Sequence, residues 1–263
     1  MADKPYFTDV EFMICLCGRL LEDNKSAFIG YGMPQIAAIM AQHLYTPNLC
    51  QVYEYGAIGP ECATPFKRNM MADARNSYRA VCWTTMNPLM WCAQGGYIDY
   101  GILGAAQVDP WGSINSTFIG GTYRRPKIRF VGSGGGNEVG SFCWKTIYLM
   151  NHEKRRFVDK CDFVTTPGYL GGPGEREKAG LPADTGPFQI ITSKAVFDFD
   201  SPDKRMRLIA TREGLSVDDV LAETGIEVHV ADKVETLEPP REKELQYLRE
   251  VVDPDRVVIG RVK

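Results

Sequence analysis

Two hydrophobic periods organise the chain. Near the N-terminus, Thr8-Asp9-Val10-Glu11 has the spacing of a capping box. Behind it Val10, Met13, Ile14, Cys17, Leu20 and Leu21 fall on one helical face, with a stop near Asp23-Asn24-Lys25. Ala27-Phe28-Ile29 reads as a short buried strand, Gly30-Tyr31-Gly32-Met33-Pro34 as a tight turn, and residues 35–44 as a helix with alanines toward its neighbours. A strand, a glycine turn and a helix in that order open a parallel α/β sheet. Strand-like runs follow at 49–53, 79–84, 98–108, 127–131, 146–150 and 162–165, with a helix at 88–94. Residues 167–187 are too rich in glycine and proline for regular structure and predict a long loop over one face. The pattern at 188–199 predicts a hairpin with 205–211 beside it. Ser216-Val-Asp-Asp219 caps a short helix ending at Gly225, and a strand at 226–230 and a helix at 242–252 complete the chain. There is no repeat, low-complexity tract or linker. The expectation is one α/β domain over residues 1–263, built on an open, mainly parallel sheet with flanking helices.

Composition narrows the function classes. Apolar residues make up 44% and charged residues 24%, as in soluble globular chains. No apolar run approaches the ~20 residues of a membrane span. The opening Met1-Ala-Asp-Lys-Pro5 does not read as a secretory signal. Thirty basic against 33 acidic residues, a net charge of −3, provide no field for nucleic acid. Eight cysteines without a C-x-x-C pair, and only three histidines, argue for reduced, buried, inert thiols in a cytoplasmic protein, with no metal site. His152 reads as a surface or capping residue, and no Ser–His–Asp arrangement can be argued.

Three positions can carry chemistry. Glu54 ends a predicted buried strand and begins the turn Glu54-Tyr55-Gly56, where ligands sit in open α/β sheets. A carboxylate held there can act as a base or a nucleophile; the alternative is a solvated turn residue. Gly132-Ser-Gly134-Gly135-Gly136-Asn137 follows a strand, and its amides can converge on an anion; the alternative is a flexible connection. Gln107, in Gly104-Ala-Ala-Gln107-Val-Asp109-Pro-Trp-Gly112-Ser-Ile-Asn115, can donate an amide hydrogen to a developing oxyanion. A structural turn capped by Asn115 is the equal competitor.

In this order the blocks resemble the β subunits of class I coenzyme A transferases of the glutaconate CoA-transferase type. The resemblance runs over essentially the whole chain. It is carried by Gly30-x-Gly32-x-Pro34, Glu54-x-Gly56, Gly104-Ala-x-Gln107-x-Asp109-Pro-x-Gly112, Asn115-Ser-Thr117 and Arg129-Phe-x-Gly132-Ser-Gly-Gly135. It continues through His152-Glu-Lys-Arg-Arg-Phe157, Gly172-Pro-Gly174-x-Arg176 and Gly180-Leu-Pro-x-Asp184-x-Gly186. The resemblance implies an open α/β fold working with a homologous α subunit, with the active site at their interface.

It also implies that Glu54 is the covalent catalyst of a ping-pong transfer of CoA between an acyl-CoA and a free (di)carboxylic acid. A glycine-loop amide, at Gly134 or Gly135, would hold the oxyanion, with Gln107 helping, and Gly56 is a further candidate for holding the oxyanion or CoA. CoA is then a cosubstrate, and no tightly bound cofactor is implied. Residues 57–68 depart from the glutaconate enzyme's pattern, and Tyr55 is bulkier than the residue usual there, which leaves the acyl group open. Relatives that hydrolyse a C–C bond or decarboxylate a thioester lack the glutamate, so Glu54 favours transfer. A CoA-thioester C–C hydrolase or decarboxylase is the alternative. A non-catalytic protein that only binds CoA esters is a third reading.

Overall fold

The computed structural model describes residues 6–67 and 71–261. The reading of residues 1–5, and Arg68 at the end of the departing stretch, lie outside the described residues. The chain forms two compact units, Met1–Leu89 with Pro239–Lys263, and Met90–Glu238.

In the first unit, α1 (Asp9–Leu20) starts as its sequence predicts. The Thr8 hydroxyl accepts the Glu11 amide hydrogen at 3.0 Å, and the Glu11 carboxylate accepts that of Thr8 at 2.8 Å. The strand β1 (Ser26–Ile29) leads through Gly32 into α2 (Met33–Leu44), and β2 (Cys50–Tyr53) pairs with β1 in parallel. Small residues let the helices close. A Cβ on Gly18 of α1 would lie 2.5 Å from Met40 Cε and 3.3 Å from the Ala37 carbonyl oxygen of α2.

Two short antiparallel strands follow, β3 (Ala57–Ile58) and β4 (Cys82–Trp83). The strand expected at 79–84 shrinks to two residues because Arg79 adopts φ +53°, outside the extended region. Helix α3 (Met86–Gln94) is as expected. At the C-terminus the helix Glu242–Tyr247 widens into a π-helical turn, Leu248–Val252, rather than continuing as one α-helix to 252. The Asp253 amide closes that turn on the Leu248 carbonyl at 2.8 Å. Two fully buried carboxylates tie this segment to α1. Glu244 accepts from Arg19 Nε and Nη2 and from the Tyr45 hydroxyl, and Glu11 accepts from Arg249 at 2.6 and 2.8 Å. Such pairs hold because every charge has its hydrogen bonds.

In the second unit, β5 (Tyr100–Gly104) begins two residues later than expected, and the predicted 98–108 run breaks at Ala105-Ala106. Gln107–Val108 (β6) turns away to pair with Ile114–Asn115 (β7). Phe118–Thr122 (β8) and Arg125–Arg129 (β9) form a separate hairpin. A helix not expected from the sequence, α4 (Gly136–Phe142), follows the glycine loop. The strand β10 (Lys145–Met150) lies parallel to β5. No strand forms at 162–165; Thr166 makes one bridge to Ile114.

The long loop holds one short helix, α5 (Glu175–Lys178), and is pinned from within by Arg176. That buried guanidinium donates to the carbonyls of Pro167, Gly168, Gly140 and Ser141 and to the Thr185 hydroxyl, at 2.9–3.2 Å. Pro187–Thr192 (β11) pairs in parallel with β10, and Ala195–Asp198 (β12) and Arg207–Arg212 (β13) add antiparallel. Ser216 caps α6 (Val217–Ala222). The last strand, β14 (His229–Leu237), begins three residues later than expected and runs parallel to β13. The class is the expected α/β one, parallel through β1–β2 and β5–β10–β11 with helices alongside. Among the described residues no helix is long and apolar enough to cross a membrane.

His152 corrects its reading as a surface residue. It is buried in the second unit's core, its ring nitrogens 3.0 and 3.3 Å from the Thr192 and Thr224 hydroxyls, between Phe157 and Phe197. Burial pushes its pKa down to about 4. The unfolded chain therefore binds a proton between pH ~6.5 and ~4 that the folded chain refuses, so stability falls as the pH falls through that window. We expect this residue to cost roughly 3 kcal/mol between pH 7 and 4. Denaturant unfolding of wild type against His152→Gln checks it: the variant's pH slope should be shallower, and parallel slopes would reject the account.

Candidate active site

Glu54 stands immediately after β2, and the strand beneath it is unusually well fixed for an edge of a turn. The Gly56 amide donates to the Tyr53 carbonyl at 2.9 Å, closing Tyr53-Glu54-Tyr55-Gly56 into a β-turn. Gly56 has φ +115°, and a Cβ there would lie 2.1 Å from the Thr84 carbonyl oxygen and 2.9 Å from the Thr85 nitrogen. The Thr84 amide in turn donates to the Gly56 carbonyl at 2.9 Å. Glycine is therefore demanded twice, by backbone conformation and by the approach of the chain leaving β4.

Below the turn lies a buried polar chain. The Tyr53 hydroxyl donates to Gln51 Oε1 at 2.8 Å and accepts from the Cys62 thiol at 3.1 Å; Gln51 Nε2 donates to Gln42 Oε1 at 2.8 Å. This network is not anticipated by the motifs. Its one signal in the sequence is glutamines at apolar-periodic positions of a helix and a strand.

The Glu54 side chain is half-buried, and among the described residues no hydrogen bond or ion pair engages its carboxylate. It is thus held by its backbone and left chemically uncommitted. Partial burial, and then the Glu54 charge, push the neighbouring Tyr55 phenol up, so it stays a hydroxyl beside the carboxylate.

Gln107, Gly134 and Gly135 belong to the second unit. Gln107 is buried and its amide is engaged. Nε2 donates to Asp162 at 2.7 Å, and Oε1 accepts from Asn115 Nδ2 at 2.7 Å. Asn115 also caps its own turn, accepting from the Thr117 amide at 2.9 Å. Asp162 escapes the sequence reading because its segment looks like a strand. Ser116, next in the chain, holds the glycine loop: its carbonyl accepts from the Gly132 amide at 3.1 Å and its hydroxyl donates to the Gly132 carbonyl at 3.2 Å. The Gln107 motif and the glycine loop are therefore one structure. Thr166 fixes the far side, donating to the Gly136 carbonyl at 3.0 Å. Gly134 takes φ +47° and is exposed, Gly135 is buried, and among the described residues neither amide finds a partner.

All eight cysteines are free. Five are buried, and burial pushes Cys17 up to about 12 and Cys62 up to about 11. Cys82 is exposed, against the expectation that all are buried.

A model of the coenzyme A transferase family matches residues 13–223. The β subunit of glutaconate CoA-transferase from Acidaminococcus fermentans is 36% identical over 98% of this chain and 97% of its own length. The β subunit of 3-oxoadipate CoA-transferase from Pseudomonas knackmussii is 32% identical over 91% of each. The crystal structure of the A. fermentans glutaconate coenzyme A-transferase matches with a TM-score of 0.89 at 33% identity, covering 98% of this chain and 100% of that one. The chain belongs to the coenzyme A transferase family, as its ordered motifs implied.

If the Thr84 approach sets the turn, Gly56→Ala should cost about 2–4 kcal/mol of stability. Denaturant unfolding reads this directly, and an unchanged midpoint would show that the turn is not clamped.

Proposed function

We propose that this chain is the β subunit of a heteromeric CoA-transferase that moves CoA between an acyl-CoA and a free carboxylic acid through Glu54. The observation that carries the reading is a half-buried glutamate with an uncommitted carboxylate on a rigid turn at the carboxyl end of a buried strand, in a chain of this family. The glutaconate and 3-oxoadipate relatives are themselves β subunits, which supports pairing with a homologous α subunit.

The chemistry follows from the residue type. A Glu54 oxygen attacks the thioester carbonyl, the C–S bond breaks, and an acyl–glutamyl anhydride and CoA thiolate result. The thiolate attacks the Glu54 carbonyl, the anhydride C–O bond breaks, and the first acid leaves with its carboxylate. A second carboxylate attacks the glutamyl thioester, and the same steps in reverse return Glu54. A serine or cysteine cannot perform the exchange, because the nucleophile's own carbonyl must become the thioester. CoA is thus a cosubstrate rather than a resident cofactor.

Each tetrahedral oxyanion needs fixed donors, worth about 3 kcal/mol each in the transition state. The Gly134 and Gly135 amides have that character, and we assign them to it. Gln107, with its amide shared between Asp162 and Asn115, supports the loop through Ser116 rather than supplying the donor itself. Gly56 frees the turn to present Glu54. Eight free thiols fit a reducing compartment, and we place the enzyme in the cytoplasm.

The test uses the chain co-expressed with its α partner. Incubation with a panel of acyl-CoAs and no acceptor, followed by borohydride trapping, should leave a CoA adduct or a reduced Glu54 on the peptide spanning Tyr53–Gly56. Glu54→Ala and Glu54→Gln should lower transfer by at least about 10⁴-fold. Acyl-CoA consumption without an adduct, giving a cleaved or shortened thioester, would replace the transferase with a C–C hydrolase or decarboxylase.

A further inference from the structure

Glu54 shares its edge of the sheet with a motif that the transfer chemistry does not use, Gly30-x-Gly32-x-Pro34. The strands β1 and β2 run parallel with Phe28 opposite Val52. The same register carried two residues on sets Gly30 beside Glu54, one strand spacing away, about 4.8 Å. Tyr31, next in the chain, is 44% exposed, and its ring centroid lies 6.0 Å from that of the buried Phe66 at a tilt of 47°. Gly32 then takes φ +84° and turns the chain into α2.

Phe66 reaches Tyr31 because the excursion at 59–81 is anchored on the elements that carry this edge. Its two limbs hold each other, the Glu61 amide donating to the Tyr78 carbonyl at 3.0 Å and the Ala63 amide to the Arg75 carbonyl at 3.1 Å. Asn76 accepts from Gln35 Nε2 in the first turn of α2 at 2.6 Å, and the Cys62 thiol donates to Tyr53 beneath Glu54. The chain leaving the excursion closes on Gly56 through Thr84 and brings Trp83 and Met86 with it, 57% and 47% exposed. The side chains that the backbone sets around the glutamate, those of Tyr31, Tyr55, Trp83 and Met86, are all uncharged. Cations do occur in the excursion, but each described one has an acid. Arg75 holds Asp73 through Nε and Nη2 at 2.8 and 2.7 Å, Arg79 holds Glu61 at 2.8 Å, and Lys67 meets Asp255.

We infer that the acid exchanged at Glu54 is a monocarboxylic acid with an apolar, ring-bearing chain lying against Tyr31, rather than a dicarboxylic acid. The inference rests on the transferase reading and names the substrate class of that same site. A dicarboxylic acid needs a cation or several donors for its distal carboxylate once that group leaves water. Taking a described cation from the excursion would leave Asp73, Glu61 or Asp255 without its partner. An apolar ring asks for no counter-charge and gains from burial. It meets a tyrosine already braced by a phenylalanine, so little side-chain freedom is lost on contact. Phe66 lies in the stretch, 57–68, that departs from the glutaconate enzyme's pattern.

Three thioesters test this on the complex of the chain with its α partner: phenylacetyl-CoA, glutaryl-CoA and acetyl-CoA. The rate at which a CoA adduct builds up on the Tyr53–Gly56 peptide, followed by quenched mass spectrometry at limiting thioester, reads specificity without an acceptor. Phenylacetyl-CoA should react at least about tenfold faster than glutaryl-CoA. Tyr31→Ala should slow phenylacetyl-CoA about tenfold more than acetyl-CoA, whose acyl group is too short to pack on a ring, and Tyr31→Phe should keep the wild-type ratio. Glutaryl-CoA reacting as fast as phenylacetyl-CoA in the wild type overturns the inference and leaves the transferase reading standing. An equal loss for both thioesters in Tyr31→Ala, or no loss, overturns it too. So does release of the α partner from that variant on gel filtration, which would make Tyr31 part of the contact with that partner. Consumption of the thioesters with no adduct from any of the three removes the transferase reading and the inference with it.

Discussion

The backbone approach at Gly56 is the constraint on which the proposed chemistry depends. A carboxylate nucleophile has two conflicting needs: accessibility and little competing hydrogen bonding, yet a fixed position. Side-chain contacts cannot satisfy both, because any partner strong enough to hold the carboxylate would also quench it. Here the holding is transferred to the main chain. The Tyr53–Gly56 turn and the Thr84 amide fix the Cα of Glu54, and the Gln42–Gln51–Tyr53–Cys62 chain stiffens the strand below. The carboxylate itself is left without a partner among the described residues.

The second unit uses the same device at a different place. Arg176 satisfies two backbone carbonyls of a loop rich in glycine and proline, Pro167 and Gly168, and two in the last turn of α4, Gly140 and Ser141. Ser116 and Thr166 grip the two ends of the glycine loop. The loop's interior amides, at Gly134 and Gly135, stay unused by the described residues. In both units buried polar side chains fix backbone, so that reactive or donor groups are spared. This is what preorganisation requires, since donors that need not rearrange lose nothing when charge develops.

Much of this is legible in the sequence, for identifiable reasons. The Thr8–Glu11 and Ser216–Asp219 caps, the strand–turn–helix opening and the Glu-x-Gly turn are local signals, written in residues a few positions apart. The misses are non-local. The 98–108 run is largely apolar, and only pairing partners decide that β5 ends at Gly104 while Gln107–Val108 join β7. Asp162–Thr165 looks like a strand, but its neighbour Thr166 meets β7 at a single bridge. His152, between an apolar strand and a charged run, looks like a surface residue. The Thr192 and Thr224 hydroxyls that let a histidine sit in the core come from positions 40 and 72 residues away.

The sequence by itself determined the family and the α/β class, and singled out Glu54 as the group to watch, because motif order and short-range spacing survive without coordinates. Only the tertiary structure decided how each candidate is used. Gln107 spends its amide on Asp162 and Asn115, Gly56 faces Thr84, and the described cations of residues 59–81 each meet an acid. Those facts depend on which distant groups meet. A hydrogen bond or ion pair is exhausted by its first good partner, and no one-dimensional pattern records which partner arrives.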